Sequence, residues 1–95
     1  MKLKFEWNSK KAILNMKTHA VSFEEAKTVF YDPLALIFYD EVHSRYEIRE
    51  IIIGYSVKNR LLLVYFTERK NAIRIFSARK ATKKERKDYE ENRRF

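Results

Sequence analysis

The sequence contains no cysteine, which excludes disulfides, CxxC zinc sites and a thiol nucleophile, and fits a reducing compartment. It has one glycine and one proline, too few for a loop-dominated or low-complexity chain. No segment approaches the ~20 apolar residues of a membrane span, and MKLKFEWNSKKAIL at the N-terminus lacks the apolar centre of a signal peptide. A soluble, cytoplasmic protein without membrane contact is expected, with neither a metal site nor a cofactor. Histidine is scarce as well: His19 and His43 are the only side chains whose ordinary pKa lies near neutrality.

What is present is apolar and basic. A hydrophobic fraction of 45% with 15% aromatics argues against disorder and for packed regular elements. A chain of 95 residues predicts a single domain over residues 1–95, burying about 60–65% of the surface its unfolded form exposes. The net charge of +8 points to a polyanionic partner: RNA, DNA, an anionic membrane surface or an acidic protein.

Leu3 to Trp7 alternates apolar and polar residues and reads as a short strand. Asn8 offers an N-cap, and Ala12, Ile13, Met16, His19 and Ala20 recur at helical spacing, so a helix to about His19 should bury that face. Ser22 and Glu25 have capping-box spacing ahead of a second helix with the stripe Phe23, Ala26, Val29 and Phe30, stopped at Asp32-Pro33. Leu34–Tyr39, Ile48–Tyr55, Leu61–Thr67 and Ile73–Ser77 are strand-like, and short polar links between the later ones predict an antiparallel meander. Thr82 to Glu85 repeats the capping-box spacing and opens a last helix with little apolar surface beyond Tyr89. The expected fold is α+β, in the order β-α-α-β-β-β-β-α, with an antiparallel sheet, two N-terminal helices on one face and a C-terminal helix. In the last strand, simple alternation points Ile73, Ile75 and Ser77 towards the helices and Arg74, Phe76 and Ala78 away.

Several ordered pieces together resemble one family. They are FEW (Phe5–Trp7), KTHAVSFEEA (Lys17–Ala26), DPLAL (Asp32–Leu36), Arg49 before the IIIG run, TER (Thr67–Arg69), IRIFSARKAT (Ile73–Thr82) and the ERKDYE end. In this combination, over nearly the whole chain, the sequence is similar to the BrnT-type ribonuclease toxins of bacterial type II toxin–antitoxin modules. The resemblance implies a RelE-like fold, an RNA-cleaving surface on a small antiparallel sheet, and a hetero-oligomer with a cognate BrnA-like antitoxin. Two positions depart from the family pattern: Ala20 stands where glycine is usual after the histidine, and Glu50 where an aromatic is usual after the arginine.

Metal-independent RNA cleavage requires a base for the 2′-hydroxyl, cations for the charge growing on phosphorus and an acid for the leaving oxygen. Cations are abundant. Arg74 and Arg79 are candidate catalytic residues because they flank apolar strand residues and match the family pattern; Arg49, Arg69, Lys80 and Lys83 are candidate RNA contacts, and the alternative for the four arginines is a solvated or salt-bridged sheet surface. Together, Arg74, Arg79 and Lys80 are expected to converge on one phosphate. His19 either packs and caps the end of its helix or acts in catalysis, and Glu68 either is an exposed strand residue paired with Arg74 or Lys70 or serves as a base. His43 either is a solvated loop residue or has a functional role, and Tyr89 either packs the last helix or stacks on a base. From Arg79 to Phe95 there are eight basic and four acidic residues, which suits a phosphate-tracking tail or a solvated helix face. Two other classes stay open: a non-catalytic nucleic-acid-binding module, although the RRM strand signature is missing from LLLVYFTER, and an interaction protein built for an acidic partner.

Overall fold

A computed structural model describes residues 3–92. The elements follow the expected order: β1 (Phe5–Glu6), α1 (Ser9–His19), α2 (Phe23–Thr28) with a 3-10 turn at Val29–Tyr31, β2 (Leu36–Tyr39), β3 (Glu50–Tyr55), β4 (Leu61–Arg69), β5 (Ala72–Lys80) and α3 (Lys83–Asn92). Among the described residues no helix is long and apolar enough to cross a membrane.

The local signals form with informative exceptions. Asn8 accepts from the Lys11 N–H at 3.0 Å and Ser22 accepts from the Glu25 N–H at 3.0 Å, so both helices start where their caps stand. The box at Ser22 is only half made, because the Glu25 carboxylate turns to Arg60 and Ser56 instead of its own helix end. At Thr82 the box closes in both directions, with Glu85 N–H to Thr82 Oγ1 at 3.1 Å and Thr82 N–H to Glu85 Oε1 at 2.9 Å. α1 ends in a left-handed residue although no glycine is there: Ala20 has φ 57° and donates to the Met16 carbonyl at 2.9 Å. The helix also presents a different face than its apolar spacing predicts. Asn15 is buried and Ala12 and His19 are half-buried, whereas Ile13 is 61% and Met16 52% exposed.

The sheet order is β1-β5-β4-β3-β2. β2 to β5 form the antiparallel meander, and β1 adds to the far edge of β5 in parallel, pairing Phe5 with Ile73 and Glu6 with Arg74. On one face the α2 residues Phe23 and Ala26, with Val21 and Val29, close over Ile52, Leu62, Val64, Phe66, Ile75 and Ala78. Phe30 bridges this core, edge-on to Phe5 and Phe66 with centroids at 5.2 and 4.9 Å. The single glycine, Gly54, permits the close approach of the turn before β2: a Cβ there would lie 2.8 Å from that of Ala35. Asp32 ties the same turn down by accepting from the Tyr55 N–H at 2.8 Å.

The C-terminal helix is not on this face. α3 packs on the opposite side of the sheet, where Tyr89 joins Ile53, Leu61 and Leu63. This explains why β4 is apolar on consecutive residues: both of its faces are covered.

β5 departs from simple alternation. Tyr65 pairs with Ser77 and Phe66 with Ile75, which leaves Phe76 as an extra residue without a cross-strand partner. Such a bulge shifts the parity of everything after it. Ile75 and Ala78 therefore share the α1/α2 core, Ser77 turns away from it, and Arg74 and Arg79, five residues apart, come to the same outward face. β5 also runs through Arg79 to Lys80, so Arg79 is a strand residue and not a residue beyond the strand.

Candidate active site

The bulge places Phe76 at the meeting point of three elements. The ring lies between the Arg49 guanidinium, with Cζ 3.8 Å from the centroid, and the Lys11 ammonium at 5.4 Å. Beyond its pairing with β1, β5 has a bare edge, and Asn15 of α1 occupies it. The Asn15 carboxamide accepts from the Ala78 N–H at 3.1 Å, donates to the Ala78 carbonyl at 2.9 Å and donates to the Val21 carbonyl at 2.9 Å. A side-chain amide thus replaces a neighbouring strand and fixes α1, with Lys11 one turn earlier, against the bulge.

Around Phe76 is a cavity of about 370 Å³, lined from α1 by Lys11, from the β2–β3 loop by Asp40, His43 and Arg49, and from β4 and β5 by Tyr65, Ser77 and Arg79. Two further hollows adjoin it. One, of about 290 Å³, shares Lys11, Phe76 and Ser77 and runs to His19. The other, of about 440 Å³, shares His43 and Arg49 and runs to Arg45 and Tyr46. Through these shared residues the three follow one another as a trough lined by cations and aromatic rings. A separate hollow of about 460 Å³ lies away from them, beside Leu3, Lys4, Glu68 and Lys70.

The guanidinium groups on this face are in unequal states. Arg79 is gripped by Glu85 through both terminal nitrogens at 2.8 Å, and its Nη2 donates to the Tyr65 hydroxyl oxygen at 3.4 Å. The hydrogen bonds from Arg79 hold the Glu85 carboxyl at about 2, well below the usual 4.5, and raise the pKa of Arg79 in turn. Arg74 pairs with Glu6 at 3.0 Å, and Arg69 donates to Glu47 at 3.1 Å. Arg49 alone of the four has no carboxylate within ion-pair distance among the described residues, and its Nε is shielded from solvent without a hydrogen-bond partner.

The loop that carries His43 is closed at its neck. Asp40 N–H donates to the Arg49 carbonyl at 2.8 Å; the Ser44 hydroxyl lies 2.6 Å from the Asp40 carbonyl and accepts from the Arg49 N–H at 2.9 Å. Within this frame His43 Nδ1 is 2.9 Å from Asp40 Oδ2.

Of the residues singled out from the sequence, Arg79 and Arg49 line the central cavity, and His19 lines the adjoining hollow. Arg74 and Arg69 share the face but belong to the carboxylate-paired end beside Glu6 and Glu47. Lys80 does not converge with them: as the residue after Arg79 it lies opposite Leu62, on the α1/α2 side. Glu68 lies opposite Ile73 and lines the separate hollow, and its expected partner Arg74 is joined to Glu6 instead. Lys83 opens α3 as an exposed residue. Tyr89 is 2% exposed and its hydroxyl donates to the Leu34 carbonyl at 3.0 Å, so its ring is core and is not offered to a base. Lys11, Asp40, Tyr65 and Phe76 were not legible as site residues, and His43 was marked only by being one of two histidines. A further sequence signal was the three-residue spacing of Asp40 and His43 inside a short loop.

The fold and this surface define a small basic α+β protein with one cation-lined trough suited to a polyanion. Residues 7–85 match the family described as the ribonuclease toxin, BrnT, of type II toxin–antitoxin systems, and the chain belongs to that family. A toxin of this type has an antitoxin as its partner. The fold is similar to that of the Brucella abortus ribonuclease toxin BrnT, known from a crystal structure at 1.1 Å, with a TM-score of 0.68 and 20% identity over 86% of this chain and 100% of that one. Among curated protein sequences none matches.

Proposed function

We propose that this chain cleaves single-stranded regions of mRNA by attack of a ribose 2′-hydroxyl on the adjacent phosphodiester, and that the cavity around Phe76 is where this happens. The observation that carries the reading is the convergence of Lys11, Arg49 and Arg79, from three different elements, on one cavity that continues into a trough on either side. A phosphorane gathers negative charge that preoriented cations stabilise without reorganisation. Arg49 suits direct phosphate contact, because among the described residues no carboxylate lies within ion-pair distance of it and Phe76 holds its plane. Arg79 suits a fixed background charge, since Glu85 already occupies two of its donors. Tyr46, 99% exposed beside the trough, suits stacking on an unpaired base.

The chain acts on this reading as one cytoplasmic domain, and a BrnA-like antitoxin silences it by covering the cationic face. Labelled RNA incubated with the purified chain in the presence of a chelator tests the activity. Products ending in 2′,3′-cyclic phosphate are expected, and intact RNA with a gel shift alone would instead indicate a non-catalytic binder. The antitoxin should co-purify from the neighbouring reading frame in a complex weakened by salt, because like the RNA it meets a charged surface.

A further inference from the structure

We infer that His43 is the general base of this reaction and that the carboxylate of Asp40 fixes its working tautomer, an assignment that rests on the ribonuclease reading and supplies the group that starts it. The Asp40 side chain is 6% exposed and that of His43 56%, so a buried carboxylate holds a ring whose other edge is open. Both ends of the Asp40 backbone unit are hydrogen-bonded at the loop neck, which leaves the carboxylate little freedom. An ionised carboxylate only accepts; the proton of a neutral imidazole therefore sits on Nδ1, 2.9 Å away, and the lone pair is left on Nε2. This is the division of labour by which a carboxylate orients a histidine base in hydrolytic triads.

The surroundings match the task. His43 is edge-on to Tyr65, with ring centroids 6.4 Å apart, and lines the central cavity and the Tyr46 hollow alike. The titratable and charged groups that face it are Lys11 from α1, Arg49 from the end of the β2–β3 loop, Tyr65 from β4 and Arg79 from β5. Its own loop adds Asp40, Arg45 and Glu47. The alternatives are worse placed. His19 is at the far end of the adjoining hollow with no carboxylate joined to it among the described residues, and Glu68 lines a different hollow.

In the step, Nε2 of His43 takes the proton of the 2′-hydroxyl while the 2′-oxygen forms its bond to phosphorus. The bond from phosphorus to the 5′-oxygen breaks, and that oxygen takes the proton of the Tyr65 hydroxyl, whose oxygen already accepts from Arg79 at 3.4 Å. The imidazolium then returns a proton to Tyr65 through solvent. The products are a 2′,3′-cyclic phosphate and a 5′-hydroxyl, and no further reactant is consumed.

The test is single-turnover cleavage of a short single-stranded RNA oligonucleotide by the purified chain across a range of pH, with the thermal melt of each variant recorded. His43→Gln should lose on the order of 10²–10⁴ in rate with an unchanged melt, and should lose the acid limb of the pH profile. Asp40→Asn should lose about 10²-fold or more, because an amide facing Nδ1 can donate and so favours the tautomer protonated at Nε2. His43→Ala should regain cleavage when free imidazole is added, a readout that a purely structural histidine would not give. Wild-type cleavage together with an undiminished rate and the same acid limb in His43→Gln, or no rescue of His43→Ala by imidazole, overturns the assignment. A wild-type chain that leaves the RNA intact overturns the ribonuclease reading itself.

Discussion

On the face covered by α1 and α2, Glu25 is 2% exposed and joined to Arg60; on the face shared with α3, Arg79 and Glu85 are each 31% exposed. The two pairs use the same chemistry to different ends. Glu25 also accepts from Ser56 at 2.7 Å, and Arg60 donates to the Ala20 carbonyl at 3.0 Å, so this pair ties α2 to the β3–β4 turn and to the end of α1. The Arg60 hydrogen bonds hold the Glu25 carboxyl below its usual range although burial pushes the other way. The Arg79 pair stands at the rim of a cavity, where it fixes a cation and the start of α3 together. On one face the clamp has a buried carboxylate and an arginine 29% exposed at the edge of a closed core, and on the other both partners lie in a half-open surface within reach of a ligand.

Phe66→Ala should break the first face outright. The ring is 1% exposed and meets Phe30 edge-on, and its loss should cost about 3–5 kcal/mol, enough to unfold much of the protein in a denaturant titration. On the second face the largest effect should be on rate and not on stability: Arg49→Ala should slow RNA cleavage by about 10²–10³ while the melting temperature moves little. If Arg79→Ala were the more damaging of the two to rate at equal stability, the proposed division between phosphate contact and background charge would be wrong.

Glu25→Gln leaves Arg60 without its charged partner and should cost about 2–3 kcal/mol, read by equilibrium unfolding with activity retained per folded molecule. For Glu85 the sign follows from its lowered pKa. The folded state binds this proton less readily than the unfolded state, so its contribution is full above about 4.5 and is lost as pH falls through about 2. With about a third of each side chain exposed, the contribution should be on the order of 1 kcal/mol, and Glu85→Gln should remove that part of the acid dependence. The smallest expected effect is a gain: Ala20→Gly relieves a left-handed alanine and should raise stability by about 1 kcal/mol or less, measured as a higher melting temperature.

Local pattern made much of the architecture legible. The caps at Asn8, Ser22 and Thr82, the stop at Asp32-Pro33 and the four apolar strands depend on residues close in sequence, and each forms where its residues place it, with strand ends shifted by up to three residues. α1 was misread because its buried anchor is polar. Asn15 is inside since it completes the edge of β5, a role that no helical spacing of apolar residues announces, and this leaves Ile13 and Met16 outside. The candidate site was legible in its arginines but not in Lys11 or in their partners, because Glu6, Glu47 and Glu85 decide which arginine is neutralised and come from other elements or turns.

By itself the sequence determined the basic character of the protein, the order of its elements and, through pieces spread from Phe5 to Glu90, the family to which it belongs. Tertiary structure alone decided that α3 crosses to the other face, because Tyr89 finds its apolar contacts and a carbonyl acceptor only there. It also decided that Arg74 and Arg79 share a face, since one unpaired residue at Phe76 reverses the parity of β5. Finally, it joined His43 to Asp40 in a loop whose closing hydrogen bonds span its two ends, a geometry that exists only once β2 and β3 have paired.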